Sequence, residues 1–127
     1  MTDTVKTWLE EAAEVTKQER QHQYGSPLIN FLRIAVRWTM WLQDVLEPGS
    51  YISPVDVAWM MIDLKVAREN HSSRRDNGVD LIGYASCHDV MDGHMKELGY
   101  INGVQFFDEM SFEQMCALLE RLSLDSK

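Results

Sequence analysis

Apolar positions along most of the chain recur every three to four residues, the period of a helix buried along one face, and almost nowhere alternate as half-buried strands do. Residues 5–20 carry Leu9, Ala12, Ala13 and Thr16 at that spacing, with Asp3 or Thr4 as cap and Gln23-Tyr24-Gly25-Ser26-Pro27 as a stop. Residues 28–46 repeat the pattern with Phe31, Ile34, Ala35, Trp38, Trp41, Leu42 and Val45 until Pro48-Gly49 closes the run, and this second helix is expected to be the most buried. Ser53-Pro54-Val55-Asp56 predicts the start of a third, which runs to about residue 69. A hydroxyl there can accept a free amide, proline suits the first helical position, and an acid lies near the positive end of the dipole. The polar residues 70–78 are expected to form a loop, with Asp76 and Asn77 capping a fourth helix over about 79–91.

Gly93, Gly99 and Gly103 then punctuate a region in which residues 100–107 are expected to form a short strand or hairpin arm. Ser111-Phe112-Glu113-Gln114 has capping-box spacing and opens a fifth helix with Phe112, Met115, Cys116, Leu119 and Leu122 on one side. The expected fold is all-α, a compact bundle of about five helices with antiparallel neighbours.

At 127 residues this is one domain's worth of chain, read as a single helical domain over 1–127. No apolar run approaches the roughly 18–20 residues of a membrane span, and the first residues lack a secretory signal, so the expected location is the cytoplasm. Cys87 and Cys116 belong to no C-x-x-C pair and read as small core hydrophobes. A net charge of -8 makes direct nucleic-acid binding a poor expectation. The same charge suits a cation-binding site, solubility, or an acidic face for a basic partner. The acids are spread along the chain without a dense tract.

Chemistry concentrates in the third and fourth helices. Stepping about 100° per residue, Val57, Met60, Met61 and Leu64 form one stripe, with Arg68 near its middle and Lys65 along its edge. Arg68 either snorkels past the core or caps the helix end, or it joins Lys65 in a polar cleft that holds phosphate oxygens. Asp76, Asp80, Gly83, Tyr84 and Cys87 follow i, i+4, i+7, i+8 and i+11 and share a stripe if the fourth helix extends back to Asp76. The two aspartates either hold a divalent cation, or serve as a cap (Asp76) and as the ion-pair partner of Lys65 or Arg68 (Asp80). Glu11 and Glu14 lie on one face of the first helix and can join the same cation or form a solvated surface. The four histidines form no zinc-type spacing, and no Walker loop, nucleophile elbow or dinucleotide turn occurs. Trp59 lies off the stripe of the third helix, placed to stack on a base or to pack on a second subunit.

Taken in order, Arg20-x-x-x-Tyr24-Gly25-Ser26-Pro27, Asn30-Phe31-x-x-Ile34-Ala35-x-x-Trp38, Asp56-Val57-Ala58-x-Met60-Met61, Lys65-x-Ala67-Arg68 and Asp76-x-x-x-Asp80-x-x-Gly83-Tyr84 resemble a family of small phage and prophage proteins of unknown function. The likeness covers about residues 9–85 and leaves 93–127 as an extension. That family is in turn distantly similar to MazG-type all-α NTP pyrophosphatases, whose helical E-x-x-E and E-x-x-D motifs bind magnesium while basic residues engage the triphosphate. The resemblance implies a nucleotide-binding protein and a magnesium-dependent pyrophosphohydrolase. Glu11, Glu14, Asp76 and Asp80 would then be metal ligands, and Asp80, Asp76 and Lys65 catalytic. Arg68, Arg20, Tyr24, Asn30 and Tyr84 would contact the nucleotide. The aspartates, however, are four apart rather than three, and two helices separate them from the glutamates. Two non-enzymatic alternatives stand beside it: a protein that inhibits a host or defence factor through an acidic surface, and one that sequesters a nucleotide signal. A homo-oligomer, most simply a twofold dimer, is expected in each case.

Overall fold

The computed structural model describes residues 6–15 and 26–125, and every regular element among them is helical. Helix α1 (Trp8–Glu14) begins at Thr7, whose hydroxyl accepts the Glu10 amide at 3.1 Å. Ala12 is its one buried residue, while Leu9, expected in the core, is exposed. The expected cap at Asp3 or Thr4 and the continuation to residue 20 lie outside the described residues.

Ser26 caps α2 (Pro27–Trp41) by accepting the Ile29 amide, and Leu28, Phe31, Leu32 and Ala35 supply its core face. The helix ends at Trp41, short of the expected residue 46. The turn that follows leaves Trp41 84% and Val45 76% exposed, so the last apolar residues of that pattern face solvent. Buried Thr39 holds the returning chain: its hydroxyl donates to the Ala35 carbonyl at 2.8 Å and accepts the Ile52 amide at 2.9 Å.

Helix α3 (Pro54–His71) opens with the expected cap. Ser53 Oγ accepts the Asp56 amide at 3.1 Å, and Asp56 accepts the Ser53 amide at 2.9 Å. Helix α4 (Arg75–Glu97) starts four residues earlier than expected, so Asp76 and Asn77 sit inside its first turn and do not cap it. The Asn77 amide group instead donates to Glu69 at 3.0 Å and to the Ser72 carbonyl at 3.3 Å, which ties the end of α3 to the start of α4 across residues 72–74. Gly93 stays within α4.

The stretch expected as a strand contains a 3-10 helix, Gly103–Asp108. Its second amide is satisfied by a helix: Asp92 Oδ1 on α4 accepts from Val104 at 3.0 Å. Gly103 has φ +60, and a Cβ there would lie 1.9 Å from that same oxygen, so both the backbone and the close approach require glycine. Helix α5 (Phe112–Asp125) carries the expected reciprocal Ser111–Gln114 pair.

Helix α3 packs on α2 and α4, α5 on α2, the 3-10 helix on α4, and α1 along α4. Leu28, Leu32, Val57, Met91, Met95 and Met115 are fully buried between them. Cys87 is a core residue and Cys116 is half-buried. No helix among the described residues is long and apolar enough to cross a membrane.

Candidate functional site

Two charged side chains meet inside the α3–α4 pair. Lys65 Nζ lies 2.8 Å from Asp80 Oδ2, with the two side chains only 11% and 21% exposed. Lys65, expected at the edge of the α3 stripe, is the buried cation; Arg68, expected near its middle, is exposed. The reversal follows from the turn of the helix. Val57, Ala58 and Lys65 are buried whereas Met60 and Leu64 are 41% and 38% exposed, so the inner face is rotated toward Ala58. Helix α3 is apolar nearly all round, and its periodicity marked the wrong edge.

On α4, Asp80, Gly83, Tyr84 and Cys87 share the inward side as expected, while Asp76 is exposed in the first turn. The Tyr84 ring tilts against Phe31 of α2 at 6.4 Å, and Asn30, which precedes Phe31 in the chain, is half-buried. Lys65, Asp80 and Tyr84 thus sit toward the end of the bundle where α2 begins, α3 finishes and α4 begins. Arg20 and Tyr24 lie outside the described residues.

The glutamates of α1 are placed differently. Glu11 pairs with Arg75 at 2.8 Å, and the Arg75 guanidinium also donates to the Lys6 carbonyl. Glu14 pairs with Lys6, whose ammonium is raised above its ordinary pKa by the Glu14 hydrogen bond. Gly78 admits the Trp8 ring so closely that a Cβ would lie 2.3 Å from it. Arg75 and Asp80 are five residues apart, about 140° around α4. Glu11 and Lys65 therefore approach α4 from different sides. Among the described residues, no three His, Cys, Asp or Glu side chains are grouped to hold a metal ion. At the α3–α4 link, hydrogen bonds from Ser73, Asn77 and the Arg74 amide hold Glu69 below the usual carboxylate range.

Sequence reasoning missed a polar cleft of about 770 Å³ toward the other end of the bundle, where Tyr51, Asp56, His88, Asp92, Lys96 and Asp108 converge. The i, i+4 spacing of His88, Asp92 and Lys96 is its one signal in the sequence; the other half comes from loops. Much of its polarity is already committed. Asp56 caps α3, and Tyr51 donates to the Phe107 carbonyl. Asp92 pairs with Lys96 at 3.0 Å and accepts from Val104. Hydrogen bonds from Lys96 and then Val104 hold the Asp92 carboxyl below its usual range, while burial, aided by Asp108 and Asp56, pushes the Tyr51 phenol up.

Residues 7–92, which contain both the Lys65–Asp80 pair and the α1–α4 contact, match the domain of unknown function DUF6378. The chain belongs to the DUF6378 family. Its curated relatives include the Gene 55 protein of Mycobacterium phage D29, 39% identical over 80 residues. That match covers 62% of this chain and 49% of the relative. The Gene 55 protein of Mycobacterium phage L5 is 36% identical over 81 residues, 63% of this chain and 49% of that protein. The chain thus spans about half the length of the curated relatives it matches. No solved structure matches it. Within DUF6378 it is a phage-type protein of unknown function, and the family match ends where the 3-10 helix and α5 are still to come.

Proposed function

We propose that this DUF6378 protein binds the phosphate groups of a nucleotide or nucleotide-derived ligand at the α3–α4 face, centred on Lys65. The observation that carries this reading is the nearly buried ion pair Lys65–Asp80. A buried pair returns little or no net stability, and two well-packed apolar side chains would hold α3 to α4 as well. Charges kept there point to a use for them. Asp80 holds the Lys65 ammonium in place, and an ammonium has three donors with which to meet phosphate oxygens as well. Arg68, one turn further along α3 and exposed, adds a planar fork suited to the same oxygens. Tyr84, on the same side of α4 as Asp80, is the group suited to contact the rest of the ligand.

The enzymatic form of the reading has Glu11, Glu14, Asp76 and Asp80 holding magnesium while water attacks the α,β-phosphate linkage, releasing a nucleoside monophosphate and pyrophosphate. Its support is the motif resemblance. Glu11 and Asp80 each neutralise a cation, and the described carboxylates do not meet as a group of three. The residues as placed do not form a metal cage, and the binding reading stands without one.

Titration calorimetry with nucleoside tri- and monophosphates and cyclic dinucleotides, each with and without magnesium, tests the proposal. Binding is expected for wild type and is expected to weaken at least tenfold in Lys65→Met. Binding unchanged in that variant, or none across the panel, would remove Lys65 from any ligand site. Pyrophosphate release that needs magnesium and is lost in Asp80→Asn would establish the enzymatic form; binding without release would establish sequestration.

A further inference from the structure

The outer face of α3 leaves large apolar side chains exposed. Viewed down the helix, Met60, Leu64 and Ala67 lie on the flank toward α2, Trp59 and Val66 on the flank toward α4, and Asp56, Asp63 and Asn70 run between them at seven-residue spacing. All eight are exposed, Trp59 by 58%, Met60 by 41%, Leu64 by 38% and Val66 by 44%. A surface helix ordinarily turns charged and polar residues outward, and one that is apolar all round is normally covered. This strip carries two carboxylates and neither lysine nor arginine: Lys65 is directed into α4, and Arg68 lies on the Val57 side of the helix. Asp63 has no ion-pair partner among the described residues, and Asp56, which also lines the polar cleft, accepts the Ser53 amide in its own cap.

We propose that the outer face of α3 docks an amphipathic helix of a partner protein, with apolar residues that cover the Trp59, Met60, Leu64 and Val66 side chains and a basic residue that meets Asp63. Charge complementarity selects this occupant. A second copy of the chain packed antiparallel about the middle of α3 would set Asp63 against Asp63 with no cation on the strip to separate them, and like charges so placed oppose association. A basic helix supplies the missing cation and lies along the roughly 21 Å from Asp56 to Asn70.

The test uses the full chain, labelled with 15N, and two synthetic 14-residue helical peptides of identical apolar pattern, one Leu/Lys and one Leu/Glu. The Leu/Lys peptide is expected to shift the amide signals of Trp59, Met60, Asp63, Leu64, Val66 and Ala67 and the Trp59 indole signal, and the Leu/Glu peptide to shift none. Asp63→Lys is expected to weaken Leu/Lys binding at least tenfold and to admit the Leu/Glu peptide. All substituted positions are exposed, and an unchanged melting temperature verifies the fold. Shifts scattered over the acidic surface, binding indifferent to Asp63→Lys, or no binding would overturn the proposal. So would a dimer in sedimentation equilibrium that Met60→Glu dissociates, because the face would then belong to a second copy.

Discussion

Taking away the Lys65 ammonium leaves the Asp80 carboxylate four-fifths buried without that cation. Breaking a buried pair from one side typically costs about 3–5 kcal/mol, and the partial exposure of Asp80 reduces this, so Lys65→Met is expected to lose about 2 kcal/mol in urea denaturation. Lys65→Met combined with Asp80→Asn removes both charges while Asn keeps hydrogen-bonding capacity, and should lie within about 1 kcal/mol of wild type. A double variant as unstable as the single would mean that the pair is a structural brace. Asp92 gives a pH signature. Its carboxyl titrates lower folded than unfolded because of Lys96 and the Val104 amide. Its contribution is therefore complete above the ordinary aspartate range and fades as pH falls through the lower folded value. The melting-temperature gap between wild type and Asp92→Asn should accordingly be open at pH 6 to 7 and narrow as the pH falls below the ordinary aspartate range; a constant gap would contradict it. The sequence named both members of the Lys65–Asp80 pair, since their helices and spacing were evident, but it exchanged the burial of Lys65 and Arg68. Met60 and Leu64 look like core by composition, and only the packing of α3 against two neighbours shows that they are not.

Helix α1 is seven residues long, too short to persist alone, and its contacts with α4 keep it in place. The Trp8 ring over Gly78 is the tightest of them, joined by the Glu11–Arg75 pair. An exposed helix position ordinarily gains about 1 kcal/mol when glycine becomes alanine, but here the new methyl must displace the indole. Gly78→Ala is therefore expected to lower the melting temperature and speed amide exchange in α1, whereas in a Trp8→Ala background the same substitution should raise the melting temperature. Stabilisation in both backgrounds would show that Trp8 does not rest on Gly78. Nothing in the sequence pairs those residues, because they are 70 positions apart and glycine announces only that a close approach is allowed. The start of α3 was legible to the residue, since a capping box is a local device written in four positions. The start of α4 was not: Asn77 has the composition of a cap but is used to bridge α3 and α4.

At the scale of the molecule, the helical class follows from the 3.6-residue period, and the exception at residues 100–107 follows from a hydrogen bond that no local pattern contains, Asp92 to Val104. The fold leaves three chemistries on one small domain: the buried pair on the inner side of α3, the exposed apolar and acidic strip on its outer side, and the polar cleft near the 3-10 helix, which shares Asp56 with the strip and meets its Trp59 through His88. The first lies within the DUF6378 match together with the strip, and the cleft is completed by residues beyond it. A ligand that binds only the folded state raises its melting temperature by mass action. The most direct measurement is thus the melting temperature of wild type and of the Lys65→Met, Asp80→Asn double variant, each with and without the nucleotide panel at millimolar concentration. A rise in wild type of several degrees with at least one nucleotide, absent in a double variant that melts close to wild type, is the predicted result; an equal rise in both, or none in either, would contradict a phosphate site at Lys65.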